Sequence, residues 1–73
     1  MLYCVSTGDF TVTIDRMSSQ QAAMDAIGML RHEKFKGIRL GTMTSILLVG
    51  SHFENTEFVP TMPLVQQNGL NYI

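Results

Sequence analysis

Gly8-Asp9, set between two β-rich segments, constrains this chain more than any other pair of residues. It is a permitted two-residue hairpin loop, and with that loop residue i pairs with residue 17 − i. Tyr3 then faces Ile14, Val5 faces Val12 and Thr7 faces Phe10, all on one side of the sheet. Leu2 with Asp15, Cys4 with Thr13, and Ser6 with Thr11 fall on the other side. One face is apolar and the other mainly polar, and a slip of one residue would exchange them. The register also predicts that Cys4 and Phe10 project to opposite sides.

Arg16-Met17 leads from the hairpin into a segment with helical spacing. Ser18 followed by Gln21 forms the pattern of a capping box, in which the serine hydroxyl accepts from the Gln21 amide and the Gln21 side chain reaches back. Ala23, Ala26, Ile27 and Leu30 recur on one face, and the stem of Lys34 extends that stripe. Cations near the end and Gly37 as a stop predict one long helix over 17–37. Met24 lies off the stripe; Met17, Met24 and Met29 read as core filler or as an adaptable apolar surface.

Beyond Gly37, residues 38–40 read as the start of a strand interrupted at Gly41, and 42–50 as a full strand. The run Ile46-Leu47-Leu48-Val49 does not alternate, so it calls for partial cover on both faces. Residues 51–56 are a connection of unread turn type. Residues 57–60 read as a further strand that Pro60 ends or places at an edge. Thr61 reads as the cap of a short helical turn, Gly69 lies just past its end, and Leu70 and Tyr72 pack or trail. The sum is a single α+β domain over 1–73, of order ββαββ. Its sheet is mainly antiparallel, with one long helix on one face and a short C-terminal helical turn.

A chain of 73 residues builds only a small core, so a partner surface would help its stability. The net charge of −1 exerts no general pull on nucleic acid or anionic membrane. One cysteine rules out an internal disulfide framework. The opening residues lack the basic and apolar regions of a secretion signal, and no apolar run is long enough to span a bilayer. A soluble domain is predicted, with no membrane contact.

Three stretches together resemble a family of small, functionally uncharacterised proteins encoded by tailed bacteriophages, many of them marine. They are Gly8-Asp9 followed by FTVTID, the helix entry SSQQAAMDAI, and LGTMTSILLVG followed after a loop by EFVPTMPLVQQNGL. The resemblance implies a phage origin, with action in the cytoplasm of an infected bacterium or within a virion. It implies no activity, cofactor or catalytic residue.

The residues themselves offer little chemistry. Cys4 needs a histidine and an orienting carboxylate to serve as a nucleophile, and the hairpin register turns it away from the helix that carries His32. His52 sits in a loop. No short spacing of His, Cys, Asp or Glu suits a metal, and no glycine-rich loop suits a phosphate. No enzyme and no cofactor are therefore expected. Arg31, Lys34, Lys36 and Arg39 are four of the five Lys and Arg residues, with His32 and Phe35 among them. That strip is the candidate partner-binding segment, for an acidic protein surface or a nucleic acid, against the plainer reading of a solvated helix end.

The expectation is a non-enzymatic accessory protein that binds a protein partner such as a host factor, in host takeover or counter-defence. A virion or assembly component is the alternative, and a nucleic-acid-binding module using 31–39 is the third. A homodimer is also expected, through the sheet face opposite the helix, with Leu2, Cys4, Leu47 and Val49 at the contact and Met43 or Phe58 beside them. The competing account folds residues 64–72 over that face.

Overall fold

The hairpin forms in the register its loop dictates. In the computed structural model, which describes residues 1–70, β1 (Leu2–Thr7) and β2 (Phe10–Asp15) pair antiparallel. Leu2 stands opposite Asp15, Val5 opposite Val12 and Thr7 opposite Phe10. Gly8 has φ +57° and among the described residues no non-glycine residue has a positive φ, as expected of a two-residue loop with glycine first. Tyr3, Val5, Thr7 and Phe10 are buried, whereas Cys4 on the opposite face is half-buried.

Two further strands complete the sheet: β3 (Met43–Leu48) and β4 (Glu57–Pro60), in the order β2-β1-β3-β4 with every neighbour antiparallel. β4 is an edge strand and ends at Pro60, where a missing N–H interrupts no ladder. Residues 38–40 form no strand, and Ile38 and Leu40 pack on the core from a loop. They instead pass over the hairpin loop, where the Arg39 carbonyl accepts from the Asp9 amide at 2.8 Å.

Helix α1 (Ser19–Gly28) begins at Ser18, whose hydroxyl accepts from the Gln21 amide at 3.2 Å. The reciprocal half of the capping box is absent: Gln21 Nε2 turns forward to Asp25, 2.9 Å from both carboxylate oxygens. Ala22, Ala23, Ala26, Ile27 and, just beyond, Leu30 are buried. The helix is shorter than its sequence pattern. It tightens into a 3₁₀ turn at Met29–Arg31, and His32 is extended (φ −69°, ψ 137°) before a second 3₁₀ turn at Glu33–Phe35.

The cause is tertiary. On a continuous helix Phe35 would lie about 140° around from Leu30, facing water. The break at His32 returns it to the core, where its ring meets Phe10 edge-on with centroids 5.2 Å apart. Lys34 consequently does not extend the buried stripe. It is exposed, with its ammonium 5.1 Å from the Phe35 ring centre.

Helix α2 (Thr61–Gln67) packs on the same side of the sheet as α1, with Val65 in the core and Leu64 and Leu70 against it. Thr61 is not its cap; the preceding Pro60 holds that position. The Thr61 hydroxyl is buried instead, 2.7 Å from Thr44 Oγ1 and 3.2 Å from Thr7 Oγ1. Thr7 Oγ1 donates to the Gly41 carbonyl and accepts from the Gly41 amide. With one proton per hydroxyl, the chain of donors runs Thr44 to Thr61 to Thr7 to Gly41. Thr61→Val keeps the shape but leaves the buried Thr44 hydroxyl without an acceptor. A loss of about 1–3 kcal/mol is expected in urea unfolding, and an unchanged midpoint would contradict this reading of the hydroxyl chain.

Candidate interaction surface

Both helices lie on one face of the sheet, so the other face is uncovered among the described residues. That face is read directly from the register. β1 contributes Leu2, Cys4 and Ser6, and β2 contributes Thr11, Thr13 and Asp15. β3 contributes Met43, Ser45 and Leu47, with Val49 just beyond, and β4 contributes Phe58 and Pro60. The β2 side is lined with hydroxyls, and Ser6 Oγ lies 2.9 Å from Thr11 Oγ1. The remainder is apolar apart from Ser45: Leu2 is 48% exposed, Met43 45%, Val49 52% and Phe58 64%.

The four residues expected at a self-association surface, Leu2, Cys4, Leu47 and Val49, are therefore brought together. Cys4 pairs directly with Leu47, and the Val49 amide donates to the Leu2 carbonyl at 2.9 Å. The competing cover by residues 64–72 does not occur as far as residue 70, since α2 and Leu70 lie on the helix side. Tyr72 falls outside the described residues.

The basic strip is not one continuous patch. Arg31, His32 and Lys34 line a concavity with Arg16, Asp25 and Phe35, whereas Arg39 lines a different one between 37–42 and the start of α2. The chain turns between the two concavities at Lys36, which is extended, and Gly37, where φ is +81°. Arg31 is also engaged, with Nη2 donating to the Asn68 carbonyl at 3.0 Å. Lys36 is exposed and lines neither concavity.

Two residues that the sequence reading did not single out shape this side. Arg16 Nε donates to Asp25 at 2.5 Å and Nη1 to the Asp15 carbonyl at 2.6 Å. Asn68 ties the helices together, its Nδ2 donating to the Met24 and Leu64 carbonyls at 3.0 and 2.9 Å. The one signal for Asn68 is Gly28, since a Cβ there would stand 2.8 Å from Asn68 Oδ1. Met24, off the stripe, is explained by the same contact, its sulfur 3.3 Å from Asn68 Nδ2. Met17 is 87% exposed and fills no core.

The Gln21 and Arg16 hydrogen bonds hold the Asp25 carboxyl below its ordinary value. A depressed carboxylate pKa stabilises the fold above the unfolded value, about 3.9, and that contribution is lost as pH falls through the lower folded value. Asp25→Ala should leave a shallower fall in stability below about pH 4 than the parent shows. Equal acid-side slopes in denaturant unfolding would contradict the role given to Asp25.

Cys4 lies on the open face and His32 on the helix side. Among the described residues no three His, Cys, Asp or Glu side chains are grouped to hold a metal ion, and no helix is long and apolar enough to cross a membrane. Comparison with protein-family models, curated proteins and solved structures returned no match.

Proposed function

We propose that this chain works by binding another protein, without chemistry of its own, and that the open face of the sheet is the contact surface. The observation that supports this reading is the placement of both helices on one face, which leaves Leu2, Met43, Leu47, Val49 and Phe58 together on the other. Apolar side chains gathered on one uncovered sheet face are the ordinary mark of a protein interface. The partner this surface fits presents an apolar patch of its own, since Asp15 is the one charge on the strands of the open face.

The resemblance to phage proteins makes a bacterial host protein the leading partner, met in the cytoplasm of the infected cell. A virion protein would use the same surface. Nothing in the geometry favours a nucleic acid, because Arg31 and Lys34 line one concavity, Arg39 another, and Lys36 neither.

The experiment is capture by the immobilised chain from bacterial lysate and from disrupted virions, using two variants beside the parent. Leu47→Lys places a charge at the centre of the open face and should abolish capture. Lys36→Glu should leave it unchanged. Capture that survives Leu47→Lys and disappears with Lys36→Glu would overturn the assignment in favour of the basic segment.

A further inference from the structure

The two edges of the sheet are guarded differently. Pairing of Thr44 with Val59 and of Ile46 with Glu57 leaves Phe58 and Pro60 facing outward on β4. That edge is short, and Pro60 offers no N–H. β2 at the other edge runs six residues, FTVTID, without proline, lysine or bulge, the devices that usually protect an edge.

In a two-residue hairpin the pair flanking the loop exchanges both hydrogen bonds, so Phe10, Val12 and Ile14 direct their backbone groups to β1. The N–H and C=O of Thr11 and Thr13, and the N–H of Asp15, therefore point away from the sheet. None of them has a hydrogen-bond partner among the described residues.

We propose that this edge pairs antiparallel with the β2 edge of a second copy, about a two-fold axis at Thr13, to make one continuous eight-stranded sheet. Thr13 then faces Thr13 of the second copy and Thr11 faces Asp15; the free groups form four backbone hydrogen bonds, and two more reach the Asp15 carbonyls, each of which has a second lone pair beside the Arg16 contact. On the helix side Val12 meets Ile14 of the second copy. Both are half-buried, so the pairing extends the core where the edge leaves it open.

Neighbouring registers fit less well. Centring on Val12 sets Asp9 opposite Asp15, a like-charge pair, and calls on an Asp9 amide that already donates to Arg39 at 2.8 Å. Centring on Ile14 carries Thr11 past the end of the partner strand. A second copy also fits the edge better than the open face. Full stacking of two open faces would set the hydroxyl-lined half, with Asp15, on itself or on apolar side chains. Edge pairing keeps both open faces free and directed to the same side, so a partner would meet two strips at once.

The test is sedimentation equilibrium across micromolar concentrations with amide hydrogen exchange. The parent should sediment as a dimer, with the Thr11, Thr13 and Asp15 amides protected from exchange. Thr13→Pro removes an outward N–H and leaves the β1–β2 ladder intact, so it should raise the dissociation constant about tenfold or more. Thr13→Lys sets two ammonium groups at the axis and should do the same if the proline variant fails to fold. A parent that is monomeric throughout, or a dimer that survives Thr13→Lys, would overturn the proposal. So would a dimer lost in Leu47→Lys but kept in Thr13→Pro, which would place the second copy on the open face.

Discussion

A Gly8→Val variant is expected to show no cooperative unfolding transition. Gly8 has φ +57°, a conformation that a β-branched residue adopts only under strain. The larger effect is steric. A Cβ at this position would overlap the Arg39 carbonyl oxygen and stand 2.8 Å from the Gly41 nitrogen. Both neighbours are backbone, so neither can swing away as a flexible side chain would. Moving them breaks the Asp9–Arg39 hydrogen bond at 2.8 Å and the Gly41–Thr7 bond at 2.9 Å. Thr7 in turn anchors the buried hydroxyl chain to α2. Strain of ~1–3 kcal/mol and two lost hydrogen bonds at ~1 kcal/mol each approach the total stability of so small a domain. That total is about 4–11 kcal/mol at typical values per residue. Gly50→Ala is the control, because Gly50 has φ +93° and a Cβ there meets nothing within 4 Å. It should lose only the conformational part. Calorimetry separates the two, and a Gly8→Val melt no worse than that of Gly50→Ala would show that 39–41 does not close over the loop.

Phe10→Ala is the second large effect, about 3–5 kcal/mol. Among the described residues Phe10 is the largest of the fully buried side chains, 1% exposed, and it supports Phe35 in an edge-to-face contact. Removing it leaves a cavity and takes away the contact that turns the chain at His32. Amide exchange should therefore accelerate most at 33–38, ahead of the sheet. Phe10→Leu keeps most of the volume and should cost less than half as much. If the two variants unfold alike, volume at this site is not what holds the 33–38 segment.

The hairpin was legible residue by residue because a two-residue loop and a two-residue period specify each other. The same alternation placed Leu2 and Cys4 on the open face, whereas Leu47 and Val49 joined them because a non-alternating strand covered by helices on one side leaves half its side chains needing cover on the other. The end of α1 was not legible. Arg31, His32, Glu33 and Lys34 suit a helix locally, and the contact that stops it lies on β2, more than twenty residues away in the chain. Thr61 misled for a similar reason. A threonine two residues before a proline looks like a cap, and its true partners, Thr44 and Thr7, come from two separate strands. The side on which α2 packs carried no periodic signal, because seven residues complete only about two turns. The basic strip looked continuous because sequence proximity hides a backbone that turns between Phe35 and Arg39, at Gly37.

The measurement closest to the central claim is mapping of backbone amide shifts in the labelled chain as a captured partner is added. The account predicts that the largest changes fall on Leu2, Cys4, Met43, Leu47, Val49 and Phe58, with residues 31–39 nearly unmoved. Changes concentrated on 31–39, with the open face silent, would contradict it.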